Sequence, residues 1–160
     1  MCLIFLSCGT DRTEREIDLQ KSEQIIPYME NLFIDRLELY EDNLIVNDTL
    51  VQFNSSSADS INSSRWTAHQ MSIYEWVLKR EISSESMTDL KKLMMSSKNL
   101  RVVREKEVYF FSEGSWIDAD WGKAYSIHDI SSKHSDFTFD QIQEIKAISN
   151  RPNWFQYYAD

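Results

Sequence analysis

With 160 residues, of which 42% are hydrophobic and 12% aromatic, the chain is long enough for one domain with its own core. Its low glycine and proline content argues against a disordered chain. The formal net charge of −9 without a basic block makes nucleic acid an unfavourable partner, because phosphate binding depends on Lys and Arg. The cysteines, Cys2 and Cys8, both lie near the start, which excludes a disulfide framework for the folded part.

The first eight residues are apolar up to Cys8, and the chain then becomes abruptly polar. The stretch Leu6-Ser7-Cys8-Gly9 resembles the lipobox of bacterial lipoproteins. This resemblance implies cleavage before Cys8, diacylglycerol on its sulfur, acylation of the new amino terminus, and a membrane anchor in the bacterial cell envelope, facing the periplasm or the cell surface. The alternative is that residues 1–8 form a buried strand of a cytosolic interaction domain.

Residues 9–23 are charged and carry few apolar anchors, which predicts a tether or a frayed helix ahead of a domain over residues 24–160. From Ile25 to Tyr40 the apolar residues recur at the spacing of one helix face, which predicts a helix. Pro27 fits the first turn of that helix, where its missing amide hydrogen costs nothing.

Residues 44–53 are two short apolar runs around Asn47 and Asp48. Both of these residues tolerate positive φ, so we expect a tight β-hairpin. Residues 54–64 are rich in serine and have no apolar pattern, which indicates a surface loop. Residues 65–80 are ambiguous, because some of their apolar residues have the spacing of a helix face and others alternate as in a strand; we expect a strand with a helical or irregular lead.

A helix is predicted from about Ser86, which with Asp89 resembles a capping box. Its apolar stripe consists of Met87, Leu90, Leu93 and Met94. Asn99 is expected to end this helix in the left-handed conformation.

Residues 101–128 predict a small sheet, because the run from Val108 to Phe111 is aromatic and β-branched and too short for a helix. Gly114 and Gly122 are expected to bracket a polar connection. Beyond them, residues 125–128 are expected to alternate between a buried and a wet face, with Tyr125 and Ile127 buried and Ser126 and His128 wet.

A second helix is predicted from Thr138 to Ile148, with Thr138 as N-cap and Gln141 at N3. The aromatic residues 153–158 predict a final strand. This aromatic cap and the Trp-Gly-Lys-x-Tyr-Ser turn of the sheet resemble small uncharacterised bacterial envelope proteins. Together these elements predict a single α+β domain, with helices packed on one side of a mainly antiparallel sheet.

Enzymatic chemistry has one candidate set, Asp118, Asp120 and His128, which a small hydrolase or metal-dependent enzyme would bring together in a pocket. The two aspartates could share a cation, but Gly122 and Lys123 break the pattern of a calcium loop, so we expect a solvated turn and no metal. The sequence contains neither a nucleophile motif nor a nucleotide-binding motif, so we expect no cofactor and no enzyme.

The aromatic residues of the last third of the chain are the remaining signal, because Trp and Tyr often anchor interfaces. The expected partner-binding residues are Trp116, Asp118, Asp120 and Trp121, although any single aromatic is more simply part of the core. The predicted function is that of a non-enzymatic, lipid-anchored binding module. Its partner would be an envelope component or a basic toxin that it neutralises as an immunity protein, steered by its negative charge.

Overall fold

One mainly antiparallel sheet organises the protein, whose computed structural model describes residues 17–53, 69–80, 83–116 and 119–160. Its described strands are β1 Arg36–Tyr40, β2 Asn43–Val46, β3 Thr49–Gln52, β4 His69–Ser72, β5 Arg101–Glu105, β6 Val108–Trp116, β7 Ala119–Tyr125, β8 Ile142–Ala147 and β9 Trp154–Ala159. Their spatial order is β4-β3-β2-β1-β5-β6-β7-β9-β8. Only the pairing of β3 with β4 is parallel among these strands.

The described helices all contribute to one core on one face of the sheet. They are α1 Leu19–Glu23, α2 Ile26–Asn31, α3 Ile73–Arg80 and α4 Ser84–Ser97. Met29, Trp76 and Leu90 from these helices pack in the same buried cluster as Leu37 and Val102 from the strands. The predicted class, a single α+β domain with a mainly antiparallel sheet, is therefore confirmed.

A second core lies on the opposite face, over β6 to β9. Phe110, Ile145 and Tyr157 belong to it, and the connection between β7 and β8 covers it with Ile130 and Phe137. Because side chains alternate along a strand, β6 places Phe110 in this second core and its neighbour Phe111 in the helix-side core.

The β2–β3 hairpin is confirmed, and Asn47 occupies its turn with φ of 52°. The final strand is confirmed as β9. The helix predicted from Ser86 is present as α4, but Ser83 is its N-cap, since the Ser83 hydroxyl accepts a hydrogen bond of 3.1 Å from the Ser86 amide. Lys98, not Asn99, adopts the left-handed conformation at its end.

The helix predicted from Ile25 to Tyr40 is wrong in its second half. Pro27 lies in the first turn of α2 as expected, but α2 ends at Asn31. Residues 36–40 form β1 instead, because they complete the hydrogen bonding of both β2 and β5 and so join the two halves of the sheet.

The helix predicted from Thr138 to Ile148 is also wrong. A 3-10 turn, Phe139–Gln141, is followed by strand β8. A register shift between Ile142 and Glu144 lets Ile142 and Ile145 face the same core although they are three residues apart. This bulge produces an apolar spacing that is typical of a helix.

Residues 69–80 differ from the prediction in the order of the elements, since β4 precedes helix α3 and Trp76 is buried in that helix, while residues 65–68 lie outside the described ranges. In the segment predicted as a tether or a frayed helix, Ile17 is buried and residues 19–23 form the short helix α1. Residues 9–16 of that tether and the loop 54–64 lie outside the described residues.

Within the predicted sheet of residues 101–128, Gly114 and Gly122 lie inside β6 and β7 instead of bracketing the connection. The predicted alternation after Tyr125 is wrong, because Ser126 is buried and Ile127 is 65% exposed. Strand β7 ends at Tyr125, and the Ser126 amide then donates to the Asn153 carbonyl across the end of the sheet.

Candidate interaction site

Of the four predicted partner-binding residues, the structure describes the side chains of Asp120 and Trp121. Cys8 and Asp118 lie outside the described residues, and Trp116 is described only through its backbone at the end of β6. Asp120 and Trp121 are adjacent in β7, so their side chains point to opposite faces of the sheet. Asp120 faces the second core, and Trp121 faces the side that carries the helices.

Asp120 is only 4% exposed and belongs to a polar cluster that joins several strands. Its Oδ2 accepts a hydrogen bond of 2.9 Å from the Ser112 hydroxyl and forms an ion pair with Arg101 Nη2. The Ser112 hydroxyl lies 3.0 Å from the Tyr157 hydroxyl. The cluster thus connects β5, β6, β7 and β9, so Asp120 has a structural role and is not a contact for an external partner.

Arg101 links this cluster to the connection between β7 and β8, which covers the second core. Its guanidinium lies 4.9 Å from the centre of the Phe139 ring, in a cation–π contact. Phe139 in turn lies beside Phe110, with ring centres 5.2 Å apart. The cluster therefore holds the 3-10 turn Phe139–Gln141 against the sheet.

The structure does not bring Asp120 and His128 together. His128 follows the far end of β7, where it is exposed and its Nε2 lies 3.5 Å from Glu107 Oε2. Within the described ranges, no group of three or more His, Cys, Asp and Glu side chains could hold a metal ion.

The aromatic residues of the last third divide into core and surface. Trp154 and Tyr157 are buried, and Tyr125 packs edge-on against Trp154 with ring centres 5.4 Å apart. Trp121 is half-buried, whereas Tyr158 is 44% exposed. Both cores thus contain aromatic residues, whereas Trp121 and Tyr158 are accessible at the surface.

Trp121 and Tyr158 lie side by side on the face that carries the helices. They are directly paired across β7 and β9, and Gly114 of β6 is the partner of Trp121 on its other side. A Cβ atom at Gly114 would lie 2.6 Å from the indole Cζ2, so the indole lies directly over this glycine. We call Gly114, Trp121 and Tyr158 the aromatic row.

The charged groups next to the aromatic row are paired with one another. Lys123 Nζ lies 3.1 Å from Glu113 Oε2, and Lys146 Nζ lies 2.6 Å from Glu144 Oε1. Glu113 Oε1 also accepts a hydrogen bond of 3.3 Å from the Ile17 amide. The row is therefore an aromatic surface with balanced charge, and Ile17 lies near it through its bond to Glu113.

Sequence reasoning missed the partners of Asp120, because Arg101, Ser112 and Tyr157 come from strands whose register no local pattern reveals. It also missed Phe33, which is 81% exposed between α2 and β1. Its apolar neighbours Leu32 and Ile34 make it appear to be an ordinary part of an apolar helix face.

No protein-family model, curated protein or solved structure matches the chain. In the parts of the chain that the structure describes, every helix is too short or too polar to cross a membrane.

Proposed function

We propose that this protein is a lipid-anchored binding module of the bacterial cell envelope that acts without catalysis, by contacting a macromolecular partner. The aromatic row is the observation that carries this proposal. Trp and Tyr present a large contact area with few rotatable bonds, which makes them frequent anchors of interfaces. The two ion pairs beside the row lower the cost of removing water from it, since each of these charges keeps an opposite charge next to it.

More specifically, we propose that the protein is an immunity protein that neutralises a basic toxin. The net charge of −9 supports it, because a strongly acidic surface accelerates encounter with a basic protein and repels acidic ones. The lipobox-like segment around Cys8 supports the envelope address. Fully extended, residues 9–16 reach at most roughly 30 Å, so an anchor at Cys8 would keep the aromatic row close to the bilayer.

The lipid anchor is tested by expressing the full chain and its Cys8→Ala variant in a bacterium, with Cys2→Ala as the matched control. We expect the natural chain and the Cys2 variant to fractionate with membranes and to lose residues 1–7 while gaining lipid mass. The Cys8 variant should show neither change. An unprocessed chain that stays out of the membrane fraction in all three cases would contradict the anchor.

Partner binding through the aromatic row is tested with the double variant Trp121→Ala/Tyr158→Ala. Ile127→Ala is the control, because Ile127 is also exposed but lies beyond the other end of β7. We expect proteins cross-linked to the natural chain in intact cells to be lost from the double variant and retained by the control. Identical cross-linking patterns for all three chains would rule out the row as the contact surface.

A further inference from the structure

Phe33 is an exposed aromatic side chain that neither core uses. Its side chain is 81% exposed, and its backbone has a φ of 51°. It lies in the short connection between α2 and β1, at the end of the sheet opposite the hairpin that joins β6 to β7. The aromatic row is close to that hairpin, so Phe33 and the row lie at different ends of the molecule.

The backbone at Phe33 closes helix α2. The Ile34 amide donates to the Met29 carbonyl at 2.8 Å, and the Phe33 amide donates to the Glu30 carbonyl at 3.3 Å. These two bonds form a Schellman motif, whose left-handed residue is usually glycine. A residue with a Cβ costs roughly 1 kcal/mol more in that conformation. A phenyl ring at this position therefore contributes neither to the end of helix α2, which glycine would form at lower cost, nor to the packing of either core.

The connection that carries Phe33 is held in place by Asn47 from the β2–β3 turn. Asn47 Oδ1 accepts hydrogen bonds from the amides of Asp35 at 2.9 Å and Arg36 at 3.1 Å. Its Nδ2 donates to the Phe33 carbonyl at 3.5 Å. Because side-chain bonds hold the backbone of this loop, binding would need to order little more than the Phe33 ring itself.

Three exposed carboxylates lie close to Phe33 along the chain or in the turn that holds its loop. Glu30 and Asp35 come three residues before and two residues after Phe33, and Asp48 follows Asn47. Glu30 accepts a hydrogen bond of 2.9 Å from the Tyr109 hydroxyl, which also contacts Arg104. The nearby cations are engaged, since Arg104 pairs with Asp35 and Arg36 pairs with Glu38. We call Phe33 with Glu30, Asp35 and Asp48 the acidic corner.

We propose that the acidic corner is a second docking surface, which binds a basic protein by placing Phe33 in an apolar pocket bordered by Lys and Arg side chains. An exposed aromatic ring with carboxylates beside it is complementary to such a pocket, and an arginine of the partner can also stack on the face of the ring. This proposal rests on the proposed binding function and adds the chemistry of the partner and the residue that anchors it.

The test places a photo-reactive benzoylphenylalanine at position 33, and separately at position 158, of the full-length chain in its native cells. We expect position 33 to cross-link a protein through a peptide rich in Lys and Arg. Cross-linking at position 158 alone would overturn the acidic corner while leaving the aromatic row intact. Products with lipid or with a second copy of the chain at position 33 would also overturn it, and no product at either position would overturn the proposed function as well.

The identified partner is then titrated with the natural chain and with Phe33→Gly. We expect the variant to bind at least about tenfold more weakly. The affinity of the natural chain should fall when salt is raised from about 50 to about 300 mM. The variant should also unfold at a higher urea concentration than the natural chain, because glycine relieves the left-handed backbone.

Lys98→Gly is the matched control for this titration. Lys98 has a φ of 64° at the end of α4, so the same substitution should raise stability there and leave binding unchanged. Equal affinity of the natural chain and Phe33→Gly for the cross-linked protein, or affinity that does not change with salt, would overturn the proposal.

Discussion

Asp120 illustrates how much the environment of a carboxylate decides its role. The sequence predicts a solvated turn at Asp120, yet the structure places this residue in the second core beside Arg101 and Ser112. Sequence reasoning had no access to this, because Arg101 lies on β5 and Tyr157 on β9, far away along the chain. Alternation along β7 then shows that Asp120 and Trp121 cannot both face one partner.

Removing the Asp120 carboxylate should therefore destabilise the fold. We expect Asp120→Ala to lower the free energy of unfolding by roughly 3 kcal/mol, because it removes a buried carboxylate that pairs with Arg101 and accepts from the Ser112 hydroxyl. Urea denaturation followed by circular dichroism measures this value. The control is Asp89→Ala, which breaks an exposed ion pair with Lys92 and should cost less than about 1 kcal/mol. Similar losses for the two variants would contradict a structural role for the Asp120 cluster.

At the scale of single elements, α1 shows that a short helix can depend on its cap. Asp18 Oδ1 accepts a hydrogen bond of 3.1 Å from the Lys21 amide, and this bond lowers the pKa of the Asp18 carboxyl below its ordinary value. A carboxyl whose pKa is lower in the folded state stabilises the fold at neutral pH. That contribution is lost as the pH falls below about 4, because the proton then binds.

We expect Asp18→Ala to cost about 1 kcal/mol at pH 7. Asp18→Asn keeps a capping oxygen but cannot titrate, so its stability relative to the natural chain should improve between about pH 5 and pH 3. Thermal unfolding of the three chains across this range provides the measurement. A constant difference between the natural chain and the Asn variant at all pH values would show that the cap does not titrate as described.

Elements defined by local signals were predicted correctly from the sequence. The hairpin at Asn47 depends on positive φ at that residue, and α4 depends on a cap and a stripe within one stretch. Elements defined by distant pairing were not. Strand β1 was mistaken for helix because its role is to join β2 and β5, and the bulge in β8 imitates helical spacing. The open position of Trp121 and Tyr158 likewise depends on which half of the sheet the helices cover.

At the scale of the whole molecule, the sheet carries one core on each face, and β6 belongs to both. Phe111 packs with Trp154 under the helices, with ring centres 5.4 Å apart, while Phe110 packs with Tyr157 on the other side. Any loss of order in β6 would remove the surface on which both cores assemble. The cores should therefore unfold together, as one cooperative unit.

Phe110→Ala tests this coupling. The substitution empties part of the second core and should cost roughly 3–5 kcal/mol. Tryptophan fluorescence includes the signal of Trp76 and Trp154 in the helix-side core, whereas hydrogen exchange of the β8 and β9 amides reports on the second core. If the domain is one unit, both probes should show the same loss of stability. Phe111→Ala, which empties part of the helix-side core, should likewise lower the stability measured by both probes by the same amount.

A fluorescence transition that is unchanged in Phe110→Ala, with faster exchange confined to β8 and β9, would mean that the second core unfolds separately. Tyr158 of the aromatic row would then lie on a strand that can open without the rest of the domain.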